Sequence, residues 1–286
     1  MVLPPWHAHP DVWVLFALIE GAYLLVVRRR RLAGGEDEGW RRPARFFTAG
    51  VAVLWIGADW PIHDLAERFL YSIHMLQHML FTLVAPPLLL AGMPDRLLRD
   101  VLRPRWLRKL WAFLTRPIVA LIVFNGLLLL THWPEVVTAS VYSEPLHFGL
   151  HLVLFFAAVV VWWPVMSPLP ELPSLSPPGQ MLYLFLQSLA PTIPASFLTF
   201  GHTLLYPVYG TFPRIWGVSA LTDQLIAGLE MKLLGGAILW GFIATIFFRW
   251  HARESRDGWD ALAHREVERE LRSSFVSEGR PVGSPR

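Results

Sequence analysis

The sequence predicts an all-α membrane protein: a polytopic bundle of seven transmembrane helices, with the N-terminus outside and the C-terminus in the cytoplasm. Composition is the first reason, since 54% of the 286 residues are hydrophobic, 16% are charged and the mean hydropathy is +0.42. A soluble domain of this length carries more charged surface, so a lipid bilayer is the expected environment. The second reason is a series of long apolar runs, and the third is the uneven distribution of basic residues between them.

The apolar runs place the predicted transmembrane domain at residues 1–250. A helix needs about 20 apolar residues to cross a bilayer, and seven runs approach that length: 11–27, 46–60, 69–92, 117–133, 146–165, 179–200 and 221–248. Short connections between them leave no room for a second globular domain. Residues 251–286 are alternately acidic and basic and then rich in Ser, Gly and Pro, which predicts a charged cytoplasmic tail that is partly helical and partly disordered.

Basic residues set the orientation. They are concentrated in Arg28–Arg31, in the connector 96–116 and in the C-terminal tail, whereas the opposite side carries only Arg68 and Arg214. Short cytoplasmic loops are enriched in Lys and Arg, so the basic side is predicted to be cytoplasmic. The pI near 9.5 is therefore a signal of topology, and we expect no nucleic-acid partner.

Histidine is the residue type that points to function. Nine of the eleven histidines fall on the predicted outer side, and only His251 and His264 are cytoplasmic. Two pairs, His74 with His78 and His147 with His151, have i, i+4 spacing, which puts each pair on one helix face. The two pairs lie at overlapping depth and are expected to face each other across the bundle.

This pattern favours a metal site. The chain has no cysteine, so a metal ion would be held by His, Met or carboxylate groups. His-x-x-x-His on a helix offers two imidazoles to one ion, and intramembrane ionisable residues are costly and mostly functional. Met79 flanks the first pair, and imidazole with thioether suits copper, in particular Cu(I).

Several residues have simpler interpretations. Met79 and Met75 are also ordinary packing residues, Asp223 and Glu230 also serve as polar contacts between helices, and an isolated interfacial histidine usually only hydrogen-bonds. The last interpretation applies to three histidines: His7, His9 and His202. For the intramembrane charges Glu20 and Lys232, a Glu–Lys pair between helices is one structural explanation.

Four sequence blocks resemble the signature of the CtaG-type cytochrome c oxidase assembly factors. The blocks are 74–94 (with His-Met-Leu-Gln-His-Met-Leu at its start), 132–134 (His-Trp-Pro), 147–165 (ending in Trp-Trp-Pro-Val) and 206–231 (with Tyr-Pro-Val-Tyr at its start). The resemblance covers roughly residues 10–250, and the first block is the most specific. A departure occurs at Glu230 and Lys232, where the family pattern suggests apolar residues.

The resemblance implies a multi-pass protein of the bacterial plasma membrane that is needed to make active haem–copper oxidase in the respiratory chain. The residues of this sequence that match the family's motif positions are His74, Gln77, His78, Met79, His132, His147, His151 and Asp223. The hypothesis is a non-enzymatic factor, a metallochaperone that binds copper and delivers it to an oxidase subunit. His74, His78, His147 and His151 would be the main ligands, with His132, Met79, Asp223 and His63 as further candidates.

Two alternatives and two partner questions stay open at this point. Facing histidine pairs also serve as axial haem ligands in membrane electron carriers or enzymes, and a copper transporter would need a polar path to the cytoplasm. The expected partners are a haem–copper oxidase subunit and the lipid bilayer. An extracytoplasmic copper donor and self-association are open questions.

Overall fold

The computed structural model describes residues 3–32 and 38–277. Within these residues the chain forms fourteen α-helices and no β-strand. In chain order they are α1 (Pro10–Leu32), α2 (Glu38–Ala58), α3 (Ile62–Arg68), α4 (Tyr71–Met79), α5 (Ala85–Gly92), α6 (Asp95–Val101), α7 (Arg105–Leu114), α8 (Pro117–Thr131), α9 (Pro134–Val141), α10 (Glu144–Met166), α11 (Pro177–Leu189), α12 (Thr192–Phe200), α13 (Ala220–Leu229) and α14 (Gly235–Ser277).

Several of these helices are long and apolar enough to cross a bilayer, which identifies a membrane protein. Five such segments lie in the described residues: Pro10–Arg29, Tyr71–Gly92, Glu144–Met166, Pro177–Phe200 and Ala220–Arg256. The bent pair α7 and α8, which meet at 79°, makes a sixth if counted as one span. The remaining predicted run lies in α2, whose apolar part is the shorter segment Pro43–Ala58. Seven spans and their orientation therefore stay predictions.

Local structure differs from the sequence reading at three places. The predicted span 179–200 breaks after Leu189, where Pro191 has no backbone N–H to continue the helix. The basic connector 96–116 forms most of α6 and α7. Helix α14, which begins in the seventh apolar run at Gly235, continues without a break through the predicted tail to Ser277, and residues 278–286, where disorder was predicted, lie outside the described residues.

A π-helical turn interrupts each of two spans. Leu80–Val84 separates α4 from α5, and Glu230–Leu234 separates α13 from α14. Single π-helical turns inside longer helices occur frequently at functional sites. In the first turn, the Thr82 carbonyl accepts a hydrogen bond from Trp162 Nε1 of α10 at 2.8 Å. This contact fixes the span that carries His74 and His78 against the helix that carries His147 and His151.

Candidate metal centre

Helix α4 presents the first histidine pair. Both side chains project from the same face, as their i, i+4 spacing predicted, and their Nε2 atoms lie 2.9 Å apart. A neutral imidazole has one N–H and one acceptor nitrogen, so one ring donates to the other. His74 is buried, with 7% of its surface exposed. The same two nitrogens are close enough to bind one ion together.

Helix α10 presents the second pair, and its rings pack against those of the first. His147 and His151 are stacked, with ring centroids 4.5 Å apart. The His151 ring is 4.5 Å from His78 and 5.3 Å from His74, and the His147 ring is 5.2 Å from His74. One ligand atom each from His74, His147 and His151 lies within 4.8 Å of the other two. The prediction that the pairs face each other matches this geometry.

His132 adds a fifth ring from the C-terminus of α8. Its ring centroid lies 6.1 Å from that of His78. Its Nδ1 lies 2.7 Å from the Leu128 carbonyl, which favours an Nδ1–H donor and leaves Nε2 as the free ligand atom. The Tyr206 hydroxyl donates to the His132 carbonyl at 2.8 Å and holds this helix end in place. We call these five residues (His74, His78, His132, His147 and His151) the histidine cluster.

Three ring nitrogens of the cluster are buried and have no hydrogen-bond partner: His74 Nδ1, His132 Nε2 and His151 Nε2. Buried polar atoms are nearly always paired, because an unpaired one loses its interaction with water and gains nothing in exchange. Unpaired imidazole nitrogens on neighbouring rings are available to bind a metal ion. The donor set therefore fits a transition-metal ion.

Two cavities adjoin the cluster and share part of their walls. The smaller, about 20 Å³, lies among the histidine rings, Tyr71 and Val137. The larger, about 70 Å³, is lined by Met75, Met79 and Met231 together with His78 and His132. His78, His132 and Met75 line both cavities. The imidazole groups of the cluster are therefore followed by the thioether groups that line the larger cavity.

A family model for cytochrome c oxidase caa3 assembly factors matches residues 21–253, which include every residue of the cluster. The chain belongs to this family. Its family membership indicates a cytochrome c oxidase assembly factor that associates with the oxidase. No curated protein and no solved structure matches the chain.

In this assembly factor, Asp223 makes a contact that its sequence position did not suggest. Its two carboxylate oxygens accept hydrogen bonds from the backbone N–H groups of Tyr71 and Ser72, at 2.7 and 3.0 Å. It is 1% exposed. Asp223 therefore caps the N-terminus of α4, one turn before His74, and fixes that helix from α13. Its role as a metal ligand stays a prediction.

The other second-rank candidates lie beside the cluster. Met79 is buried and lines the larger cavity. Its sulfur lies beside Gly235, 3.8 Å from where a Cβ atom on that glycine would be. His63 Nε2 lies 3.5 Å from Glu67 Oε1, and its Nδ1 lies 3.4 Å from Gln77 Nε2. Burial and the neighbouring His9 lower the pKa of His63, which keeps its ring neutral and able to bind metal.

Glu67 is a site residue that the sequence reading missed. Its carboxylate Oε1 lies 3.5 Å from His63 Nε2 and 3.8 Å from His147 Nε2, so it connects α3 with the histidine cluster. Burial raises the pKa of this carboxyl, while the neighbouring His147 opposes the rise. The signal was present in the sequence, because His63 and Glu67 have the same i, i+4 spacing as the histidine pairs.

The suggested pairing of Glu20 with Lys232 is wrong. Glu20 Oε1 instead accepts a hydrogen bond from the Thr48 hydroxyl at 2.6 Å. The Lys232 ammonium lies over the Phe200 ring, 5.9 Å from its centroid, and also borders the larger cavity. Depth in the bilayer alone did not specify which helices are neighbours.

Proposed function

We propose that this assembly factor binds copper in the histidine cluster and delivers it to a subunit of the haem–copper oxidase. The observation that carries the proposal is the convergence of His74, His147 and His151, whose ligand atoms lie within 4.8 Å of one another on two separate helices. His78 touches the same rings. Metal–imidazole bonds are about 2.0–2.1 Å long, so two nitrogens bound to the same ion lie at most about 4.2 Å apart, close to the separation found here.

The donor types favour copper. Imidazole suits zinc, copper, iron and nickel, whereas thioether selects soft Cu(I). Here the imidazoles of the cluster adjoin a cavity lined by Met75, Met79 and Met231. Without cysteine, no thiolate competes for the ion. Neutral ligands drawn from separate helices bind copper less permanently than a closed thiolate site, which is what a delivery protein needs.

The cavity within the cluster favours an ion over the haem alternative. Its volume is about 20 Å³, close to the space that one water molecule requires, about 10–15 Å³ by the same measure. A porphyrin is far larger and would have to separate the packed rings. A transporter would need polar groups that continue toward the cytoplasm. Glu20 contacts Thr48 and Lys232 contacts Phe200, so these two intramembrane charges do not form such a path.

Copper content after purification tests the binding step. The double variant His78→Ala/His151→Ala removes one proposed ligand from each helix. We expect its copper affinity to fall by about 100-fold or more, because loss of a residue that only hydrogen-bonds to a metal ligand already costs about 10–100-fold. A chelator competition assay measures this affinity in detergent. The matched control is His202→Ala/His251→Ala, which removes two exposed histidines. Equal copper binding by both double variants would refute the site.

A further inference from the structure

A second group of metal-ligand type lies apart from the histidine cluster, at the N-terminal segment. Ligand atoms of His7, His9 and Asp64 all lie within 4.8 Å of one another. His9 Nε2 is 2.9 Å from Asp64 Oδ2. The sequence predicts only an interfacial role for His7 and His9, because the 55-residue separation between His9 and Asp64 leaves no local signal of their contact.

The backbone around this group is held in place by specific contacts. The Pro4 carbonyl accepts a hydrogen bond from Trp60 Nε1 at 3.3 Å, which attaches the N-terminal segment to the end of α2. The His9 carbonyl accepts from the Trp13 backbone N–H at 3.1 Å, so His9 immediately precedes α1. Asp64 lies in the first turn of α3 with only 3% of its surface exposed.

The group combines an exposed ligand with a buried one. His7 is exposed, the side chain of His9 is 12% exposed and that of Asp64 is 4% exposed. The Arg68 guanidinium lies 3.9 Å from Asp64 Oδ1, which leaves Oδ2 directed at His9. An ion arriving from water therefore meets His7 first, and His9 and Asp64 complete its coordination.

Donor groups continue from this site to the histidine cluster. The His9 and His63 rings are 5.1 Å apart between centroids. Glu67 Oε1 then lies 3.5 Å from His63 Nε2 and 3.8 Å from His147 Nε2. Metal bonds to nitrogen and oxygen are about 2.0–2.2 Å long, so two donors separated by less than twice that length can bind the same ion together. His63, Glu67 and His147 can thus pass an ion from one to the next without releasing it, and the contact between the His9 and His63 rings places the second group beside these donors.

We propose that His7, His9 and Asp64 form a second metal site, which captures a divalent transition-metal ion and passes it through His63 and Glu67 to the histidine cluster. The transfer part rests on the proposed function of that cluster. Two imidazoles and a carboxylate, with no thioether, suit borderline divalent ions such as Cu²⁺. Every donor on the path is imidazole or carboxylate, which bind Cu²⁺ and need no reductant, so the ion moves by ligand exchange alone and reaches the histidine cluster with its oxidation state unchanged.

Titration of the full-length protein with Cu²⁺, followed by electron paramagnetic resonance, tests the site. The wild type should show two classes of bound copper. His7→Ala/His9→Ala should lose one class and His78→Ala/His151→Ala the other, while the control His202→Ala keeps both. Asp64→Asn, which preserves size and removes the charge, should weaken the same class as His7→Ala/His9→Ala.

Loading kinetics test the path. Glu67→Gln should slow the filling of the histidine cluster by about tenfold or more while leaving the number of copper classes unchanged, since only a bridging ligand is lost. Full copper binding at the wild-type rate by His7→Ala/His9→Ala would overturn the second site, with the proposed function intact. If instead the wild type shows one class, lost in His7→Ala/His9→Ala and kept in His78→Ala/His151→Ala, and chelator competition with Cu(I) also finds equal affinity in the wild type and His78→Ala/His151→Ala, the second site stands and the proposed function fails.

Discussion

At the scale of single residues, Asp223 can be tested for two different roles: capping the helix that carries His74 and His78, or binding the metal ion. It is 1% exposed and caps α4 through the backbone amides of Tyr71 and Ser72. Asp223→Ala leaves both amides unpaired in a buried place and should lower the free energy of unfolding by about 1–3 kcal/mol. Thermal unfolding in detergent, followed by tryptophan fluorescence, measures the loss.

Asp223→Asn keeps one oxygen acceptor, and we expect it to recover part of the stability. The control Glu254→Gln changes an exposed carboxylate and should leave the unfolding temperature unchanged. If Asp223→Asn abolished copper binding with no change in stability, Asp223 would be a ligand rather than a cap.

Residue-level prediction from the sequence worked where spacing is local. The i, i+4 rule placed His74 with His78 and His147 with His151, and the structure shows both pairs on common faces. Contacts between distant parts of the chain gave no such signal. Asp223 lies 152 positions after Tyr71 and 151 positions after Ser72, the two residues that it caps. The group around Asp64 likewise forms only because the N-terminal segment folds back against α3.

At the scale of elements, the packing of α2 against α5 depends on a glycine. A Cβ added to Gly92 would lie 2.3 Å from the Phe47 backbone nitrogen and 2.6 Å from the Pro43 carbonyl oxygen. Backbone atoms of a packed helix cannot shift by so much without separating the two helices. Gly92→Ala should therefore cost at least about 1–3 kcal/mol of stability, the usual penalty for overpacking, and should reduce the yield of monodisperse protein.

Gly126→Ala is the matched control for this prediction. Gly126 lies in α8, and a Cβ there meets no atom within 4 Å. The gain in helix propensity from Gly to Ala, about 1 kcal/mol, should then keep or raise the unfolding temperature. Equal behaviour of the two alanine variants in size-exclusion chromatography and thermal unfolding would contradict the close approach of α2 and α5.

Among elements, long apolar runs were predictable and their interruptions were not. Hydropathy reports the number of apolar residues, so it located the five apolar segments that are long enough to cross a bilayer, four of them to within two residues at each end. The π-helical turns at Leu80–Val84 and Glu230–Leu234 had no signal in the hydropathy pattern. The first turn makes a tertiary hydrogen bond from Trp162 to Thr82, and contacts of this kind leave no periodic trace. Pro191 gave a local signal for the break between α11 and α12, but apolar composition concealed it.

At the scale of the whole molecule, the histidine-rich contacts form one connected system. It runs from His7 and His9 through His63 and Glu67 to the cluster, and then to the cavity lined by methionines. Family membership indicates a role in cytochrome c oxidase assembly. Under the proposed function, the histidine cluster holds copper that passes from it to the oxidase. The consequence is that the oxidase, rather than this chain, should show the defect when the cluster is lost.

This consequence is testable in cells that lack their own copy of the gene. Complementation with His78→Ala/His151→Ala should yield an oxidase with normal haem content but a strongly reduced copper-to-haem ratio, because the proposed function concerns copper alone. Metal analysis and haem absorption of the purified oxidase measure the two quantities, and Glu254→Gln is the complementing control. Excess copper in the medium should partly restore the ratio by bypassing the cluster. An oxidase with full copper from cells carrying the double variant would show that the family's role in assembly does not depend on copper held by these histidines.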